Sequence, residues 1–362
     1  MKKSALFIII LLISDSCVDR IDFISSNAAS QLVVEGQITD EPGPYTVKLS
    51  RTRKILDFSE GKPVSASKVV ISDNVGNSEI LTEIYPGAFQ TKSNGIQGTI
   101  GREYTLRVET RDGKIFESSP EKINPSGTID SIYYTFEKVL PPTGPPKYQF
   151  RIYIDSKGVA QSENLFRWKF TGTFKVQTSP ELRTVPAGEG RIPDPPPCSG
   201  YNKNLVEVGL CQCCTCWVNF VDTKPTVSDN TISSGNSYKN VEVGIVPVEY
   251  WTFFDKVQVE VKQLSLSGAA FNYWKTVADQ KEGSSSLFQP SIGKAVSNIF
   301  IKNGNEEVQG LFYASAITKK VIFLSAANIP LGSGVIPSAP PPIPESCLAA
   351  FQFSTTQKPI TW

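Results

Sequence analysis

The sequence contains no histidine among its 362 residues. Catalytic triads of serine or cysteine with histidine, histidine general bases, and histidine-containing zinc and non-haem iron sites are therefore excluded. An excess of one charge is also missing, because 36 Lys and Arg residues stand against 35 Asp and Glu residues, for a formal net charge of +1. Nucleic-acid-binding proteins usually concentrate positive charge, so the sequence predicts no nucleic-acid partner.

Long apolar segments are missing as well. Lys2 and Lys3 precede an apolar run over residues 5–13, which is much shorter than the roughly 20 residues of a membrane-spanning helix. A short basic segment followed by such a run is typical of a secretory signal peptide. We therefore assign residues 1–16 to a signal peptide.

The end of this segment indicates how the protein is attached. Ser16 is a small residue directly before Cys17, which is the arrangement that lipoprotein signal peptidase cleaves, leaving the cysteine to carry acyl chains. Cys17 is the predicted lipid anchor, and residues 17–30 are the predicted lipidated tether. The alternative is plain secretion, with Cys17 unmodified.

The rest of the sequence predicts a mainly β protein. Glycine and proline number 26 each, and they separate short runs rich in β-branched and aromatic residues. Between residues 31 and 122, alternating segments such as 45–50 and 104–108 are divided by turn sequences. This pattern predicts an N-terminal antiparallel β-sandwich, either immunoglobulin-like or transthyretin-like.

Residues 123–362 form the predicted C-terminal domain, which is rich in β-strands and carries one helix. The helix is predicted over residues 267–280, where Tyr273, Trp274 and Val277 place apolar side chains three and four residues apart. Strands over residues 309–317 and 321–326 are expected to close this domain.

Six cysteines follow Cys17, and four of them lie within six residues. They are Cys198, Cys211, Cys213, Cys214, Cys216 and Cys347. Their spacing is too tight for one tetrahedral zinc ion, and export favours oxidation, so we predict disulfide bonds and neither metal nor cofactor. The adjacent Cys213 and Cys214 are expected to have different partners, with Cys198 and Cys347 as the long-range candidates. A bound metal and free redox-active thiols are the alternatives.

Three aromatic clusters could stack against a sugar or a peptide, or could belong to the core instead. They are Tyr133–Tyr134, residues 250–254, and Tyr273–Trp274. Without histidine, catalysis would need paired carboxylates, a Ser–Lys dyad or tyrosine chemistry, and no local motif singles out such a set. The sequence therefore predicts a non-catalytic protein, with a carboxylate-dependent glycan or peptide hydrolase as the enzyme alternative.

Strings of residues over nearly the whole chain carry a family resemblance. They lie at 17–23, 32–52, 98–104, 129–132, 273–274, 283–288, 297–299, 310–313 and 358–362. These strings resemble the Bacteroidota outer-membrane lipoproteins grouped as domain of unknown function 4249. The chain departs from that family at Cys347, which is followed by Leu348, Ala349 and Ala350, whereas the family tends to have a second cysteine there.

The resemblance implies a lipid-anchored protein of the outer membrane, with the cell surface as the candidate face. Asp19 and Asp22 behind Cys17 partly match the surface-export signal of such lipoproteins. The family's genes often stand beside TonB-dependent transporters of the SusC type, so we expect a non-catalytic accessory to such a transporter in nutrient capture or uptake, with a glycan or a peptide as the candidate ligand. The alternative is an independent surface glycan-binding or peptide-binding protein.

Overall fold

A computed structural model of the protein describes residues 30–53, 61–221, 224–228, 233–234, 236–283, 293–335 and 340–362. The predicted signal peptide, the anchor Cys17 and the tether up to residue 29 lie outside the described residues. Strands predominate in the described part, which confirms the mainly β class. No helix in these ranges is long and apolar enough to cross a membrane.

The strands of the first part of the chain are short and separated by tight turns. They are β1 (Leu32–Thr39), β2 (Thr46–Arg51), β3 (Lys62–Pro63), β4 (Ala66–Asp73), β5 (Ser78–Ile80), β6 (Thr82–Tyr85), β7 (Ala88–Gln90), β8 (Glu103–Thr110), β9 (Ile115–Ser118) and β10 (Glu121–Lys122).

The remainder contains longer strands and the helices. The strands are β11 (Thr128–Val139), β12 (Lys147–Lys157), β13 (Phe166–Gln177), β14 (Thr184–Ala187), β15 (Gly190–Pro193), β16 (Thr215–Val221), β17 (Thr226–Val227), β18 (Ser233–Ser234), β19 (Ser237–Pro247), β20 (Lys256–Ser265), β21 (Ile299–Ile301), β22 (Val308–Ser315), β23 (Ile317–Ser325) and β24 (Ser354–Thr355). The α-helices are α1 (Gly268–Gly283) and α2 (Cys347–Ala350).

The first sandwich consists of two sheets, with strand orders β22-β1-β2-β7-β6 and β21-β9-β8-β4-β5. Alternate residues of β1, including Leu32, Val34 and Ile38, are fully buried and pack with Val69 and Ile71 of β4. Period-two burial of this kind is what the sequence alternation predicts for a strand that covers a core on one side. The two packed sheets are consistent with the predicted N-terminal β-sandwich.

Two strands from far along the chain complete this first sandwich. β22 runs parallel to β1, with Leu32 opposite Val308, and β21 pairs with β9. Residues 309–317 are predicted from the sequence to be a strand of the C-terminal domain, but in the structure this segment contributes to β22 of the first sandwich. In the structure the chain passes from one core to the other at Ala316, between β22 and β23. The expected boundary at residue 122 therefore does not coincide with the division between the cores.

Gly310 permits the close approach of β22 to β1. Its φ is +95°, and a Cβ atom there would lie 2.0 Å from the Val34 carbonyl oxygen. Only glycine combines this left-handed backbone with the absence of a side chain.

The second sandwich pairs a sheet of order β11-β12-β19-β18 with a sheet of order β23-β20-β13-β16-β24. Its core contains Phe150 and Ile152 of β12 and Trp168 of β13. The buried Trp168 Nε1 donates a hydrogen bond of 2.7 Å to Gln263 Oε1, so the indole brings a satisfied polar group into an apolar core.

Helix α1 confirms the predicted helix and extends three residues beyond its predicted end. Ser267 Oγ accepts a hydrogen bond of 3.1 Å from the Ala270 N–H, which satisfies one donor of the first turn. The helix contributes to a third apolar cluster with Leu264 of β20 and with Leu311 and Tyr313 of β22. This cluster joins the two sandwiches.

A buried carboxyl group lies near the same junction. Glu121 is 1% exposed; it accepts a hydrogen bond of 2.6 Å from Ser267 Oγ and one of 2.9 Å from Asn298 Nδ2. Burial raises the pKa of Glu121 in spite of these hydrogen bonds, which favour the charged form.

All six cysteines after Cys17 form disulfides. The pairs are Cys198–Cys213, Cys211–Cys214 and Cys216–Cys347. The structure thus confirms the predicted disulfides, and the adjacent Cys213 and Cys214 have different partners. The third bond links β16 to α2 across 131 residues. Sulfurs bonded in this way do not serve as the thiolate ligands of a zinc site.

Candidate functional site

A cleft of about 500 Å³ lies beside α1, where the first sandwich meets β13 of the second. The first sandwich lines one side with the outer face of its β22-containing sheet. On β1, Val34 and Ile38 face the core, so Glu35 and Gln37 lie on the opposite face. Lys48 of β2 stands directly opposite Glu35 in the strand register, and all three polar side chains line the cleft.

β13 lines the facing side. Trp168 and Phe170 point into the second core, and the alternation of the strand therefore places Arg167 and Lys169 on its outer face. Both cations line the cleft. Two positive side chains from one strand thus face polar groups from the other sandwich.

Arg167 is held mainly by an aromatic ring. Its guanidinium lies 3.5 Å from the centroid of the Trp274 ring of α1, a cation–π contact. Arg167 Nε and Trp274 Nε1 are buried, and neither has a hydrogen-bond partner among the described residues. Burial lowers the pKa of Arg167, an effect that the Tyr313 hydroxyl opposes, and the guanidinium remains charged at any physiological pH.

Lys169 is an exposed side chain that lies beside two other cations. It stands opposite Lys262 of β20 in the register, and desolvation, followed by the charges of Arg167 and Lys262, lowers its pKa. Lys262 binds Glu41 at 2.7 Å. No ion pair joins Lys169 to a carboxylate in the described part of the chain.

Glu41 is a carboxylate of this region that forms ion pairs with two lysines. It binds Lys262 and also Lys319, at 3.0 Å. Desolvation acts to raise its pKa, but the hydrogen bonds and charges of the two lysines prevail and lower it. This carboxylate is thus committed to two lysines other than Lys169.

Aromatic side chains form the end of the cleft nearest α1. The Trp274 ring meets Tyr273 and Tyr313 edge to face, at centroid distances of 5.5 and 6.1 Å. The Tyr313 hydroxyl donates a hydrogen bond of 2.5 Å to Gln37 Oε1. Burial, with the charge of Glu35, raises the pKa of Tyr273. Both tyrosines are therefore neutral donors at neutral pH.

A second groove of about 370 Å³ adjoins the cleft. The two spaces share Arg167, Lys169 and Trp274, and the groove adds Lys224 and Lys281. Lys224 is paired with a carboxylate of α1 at 3.1 Å. Cleft and groove together form what we call the basic cleft.

The basic cleft is suited to binding an anion. The charged residues that line it, among those that the structure describes, are Glu35, Lys48, Arg167, Lys169, Lys224 and Lys281. Five of these six side chains are cations, and cations attract and orient carboxylate, sulfate or phosphate groups. Hydrolysis by two carboxylates requires a pair, and Glu35 is the carboxylate that the described lining contributes.

The three aromatic clusters singled out in the sequence lie in different environments. Tyr273 and Trp274 line the basic cleft. Phe253, from the cluster at 250–254, is buried in the second core. Tyr133 stacks on the neighbouring Tyr153 across β11 and β12. The predicted anchor Cys17 lies outside the described residues.

Arg167 and Lys169 are not among the site residues predicted from the sequence. A signal was present, because these cations alternate with Phe166, Trp168 and Phe170 and must therefore share one face of a strand. What covers that face depends on the other sandwich, and no local pattern encodes it.

Comparison with protein families gives one match. Residues 19–321 match the family described as "Domain of unknown function (DUF4249)". Searches among curated proteins and among solved structures found no match.

Proposed function

The chain belongs to the family described as "Domain of unknown function (DUF4249)", and from this premise we propose that it is a lipid-anchored outer-membrane protein of Bacteroidota. In this proposal it acts without catalysis, as an accessory to a TonB-dependent transporter of the SusC type, and takes part in nutrient capture or uptake. The sequence supports the attachment, since a signal peptide that ends at Ser16–Cys17 leaves a cysteine for acylation.

The basic cleft is the observation that carries the binding role. Among the described residues no carboxylate forms an ion pair with Arg167 or Lys169, and aromatic rings stand beside both. Concave sites with a few convergent polar groups are where proteins bind small ligands. Glu35 is the one carboxylate in the described lining of the basic cleft, which supports binding over two-carboxylate hydrolysis.

The partner is tested by purifying the tagged full-length protein from outer membranes in a mild detergent and identifying the co-purifying proteins by mass spectrometry. A TonB-dependent transporter in stoichiometric amount is expected. Recovery of the lipoprotein alone would contradict the accessory role.

The anchor is tested separately. We expect the full-length protein to incorporate labelled palmitate and a Cys17→Ala variant to lose the label. A chain without residues 1–25 keeps Ser30, whose carbonyl oxygen accepts a hydrogen bond of 2.8 Å from Arg51, and should be recovered in the soluble fraction. Its persistence in washed membranes would show that Cys17 is not the sole attachment.

A second candidate is an independent surface glycan-binding or peptide-binding protein. It is favoured by the fact that β1, β2, β13, β22 and α1 of this one chain form the cleft, so a ligand needs no second protein to complete the site. Ligand binding by the isolated protein, together with the absence of a transporter from the purification, would select this alternative.

A further inference from the structure

We propose that the basic cleft binds acidic oligosaccharides, whose uronate carboxylates are held by Arg167 and Lys169 while the sugar rings lie against the aromatic end of the cleft. This inference rests on the proposed function as a binding protein and specifies the class of ligand.

The positive charges in the basic cleft favour an anionic ligand. Lys262, on the strand beside β13, has Glu41 as its partner, whereas Lys169 has the positive charges of Arg167 and Lys262 beside it and forms no ion pair with a carboxylate of the described residues. Arg167 is half-buried, and a charge that is partly removed from water is normally paired with an opposite charge. A ligand carboxylate at this position would supply that charge and would form charge-assisted hydrogen bonds with both side chains.

Two buried hydrogen-bond donors in the basic cleft favour a ligand that is rich in acceptors. Arg167 Nε and Trp274 Nε1 lie in the same site, and neither has an acceptor among the described residues. Most buried donors in folded proteins have an acceptor. An acidic sugar is rich in acceptors, because it brings carboxylate, ring and hydroxyl oxygens together.

The size of the basic cleft favours an oligosaccharide over a single small anion. The cleft of about 500 Å³ and the groove of about 370 Å³ meet at Arg167, Lys169 and Trp274. A single inorganic anion would fill a small part of this space. A chain of sugar rings can extend through both parts and place successive carboxylates along the lysines that line them.

The strand arrangement favours a sugar over an extended peptide. β1 is hydrogen-bonded to β2 and β22, and β13 to β20 and β16. Peptides that bind by strand addition need a free strand edge, whereas these strands present only their side-chain faces. Hydroxyl and amide groups beside aromatic rings, here Tyr313, Gln37 and Trp274, provide the mixed polar and apolar contacts that a sugar ring requires.

The test is isothermal titration of the full-length protein in mild detergent with short oligogalacturonates and oligomannuronates. The matched neutral ligands are the same oligosaccharides with their carboxyl groups reduced to alcohols, and an oligoglutamate is the peptide probe. We expect at least one uronate series to bind. Its reduced form should bind at least about tenfold more weakly, and the affinity of the uronate should fall as the salt concentration is raised.

Variants locate the site. Arg167→Ala and Lys169→Ala should each weaken uronate binding by about tenfold or more, and Arg167→Lys should retain part of the affinity because it keeps the charge. Lys175→Ala is the matched control, since Lys175 lies on the same face of β13 but does not line either part of the basic cleft. It should leave the affinity unchanged.

Other outcomes overturn the inference. Equal binding of the acidic and the reduced sugars would show that the carboxylate charge does not contribute to the affinity. Tighter binding of oligoglutamate would indicate that the ligand is a peptide. Failure of every uronate to bind would exclude the class. None of these results alters the co-purification of a transporter, so a failure of the ligand class is distinguishable from a failure of the proposed function.

Discussion

The three disulfides should differ widely in their contribution to stability. They close segments of very different length, with sequence separations of 131 for Cys216–Cys347, 15 for Cys198–Cys213 and 3 for Cys211–Cys214. A disulfide acts largely by restricting the unfolded chain, and the restriction grows with the logarithm of the length that it closes. Replacing each pair by two alanines removes the restriction without placing new polar groups in the protein.

The chain-entropy relation gives the expected magnitudes. Loss of Cys216–Cys347 should lower the free energy of unfolding by about 5 kcal/mol, loss of Cys198–Cys213 by about 3, and loss of Cys211–Cys214 by about 2. The first substitution also removes sulfur atoms from fully buried positions, since Cys216 and Cys347 are 0% exposed, so its cost should exceed the entropic value.

The assay is guanidinium denaturation of the three double-alanine variants without reductant, with the other two disulfides intact in each. Cys211→Ala/Cys214→Ala is the matched control, because it lies next to Cys216 in sequence and closes the shortest loop. The order of the three midpoints is the decisive result. If removal of Cys211–Cys214 cost as much as removal of Cys216–Cys347, the loop-length reasoning would be refuted.

Three further predictions concern buried groups. Burial raises the pKa of Glu121, so its favourable contribution is complete below a pH of about 4.5 and is lost as the pH rises through the native pKa; Glu121→Gln should be the more stable form at neutral pH, by chemical denaturation across this range. Trp168→Phe removes the hydrogen bond to Gln263 and should cost about 1–3 kcal/mol in the free energy of unfolding. Gly310→Ala forces a Cβ towards the Val34 carbonyl oxygen at positive φ and should cost about 2 kcal/mol or more.

Each of these has an outcome that would count against it. An unchanged pH dependence in Glu121→Gln would mean that this carboxyl does not titrate differently in the native state. A Trp168→Phe protein as stable as the original would remove the importance given to the indole N–H. Gly113→Ala is the control for Gly310→Ala, because Gly113 also has positive φ but a Cβ there would have no neighbour within 4 Å. Equal losses at the two glycines would show that the contact between β1 and β22 is unimportant.

Local patterns in the sequence were sufficient for features that depend on neighbouring residues. Val257, Val259 and Val261 alternate with polar residues and lie in the buried face of β20. The spacing of Tyr273, Trp274 and Val277 predicted helix α1 within a few residues. Periodicity is a property of one segment, so it can be recognised without knowing which strand or helix that segment packs against.

Features that depend on distant partners could not be predicted. β22 contains the same kinds of residues as any buried strand, and nothing in it indicates that Val308 lies opposite Leu32. The pairing of Cys347 with Cys216 was likewise one of several connectivities. The basic cleft combines both difficulties, because Arg167 becomes a site residue only when the other sandwich is placed opposite it.

The position of β1 between β2 and β22 has a mechanical consequence. The described chain begins at Ser30 and enters β1 at Leu32, so tension applied to the N-terminal segment runs along the axis of a central strand. Such a pull loads the hydrogen bonds to both neighbours in shear, all at once, instead of opening them one after another. From β22 the chain continues through Ala316 into β23, so the second sandwich is connected in sequence to a strand that would bear this load.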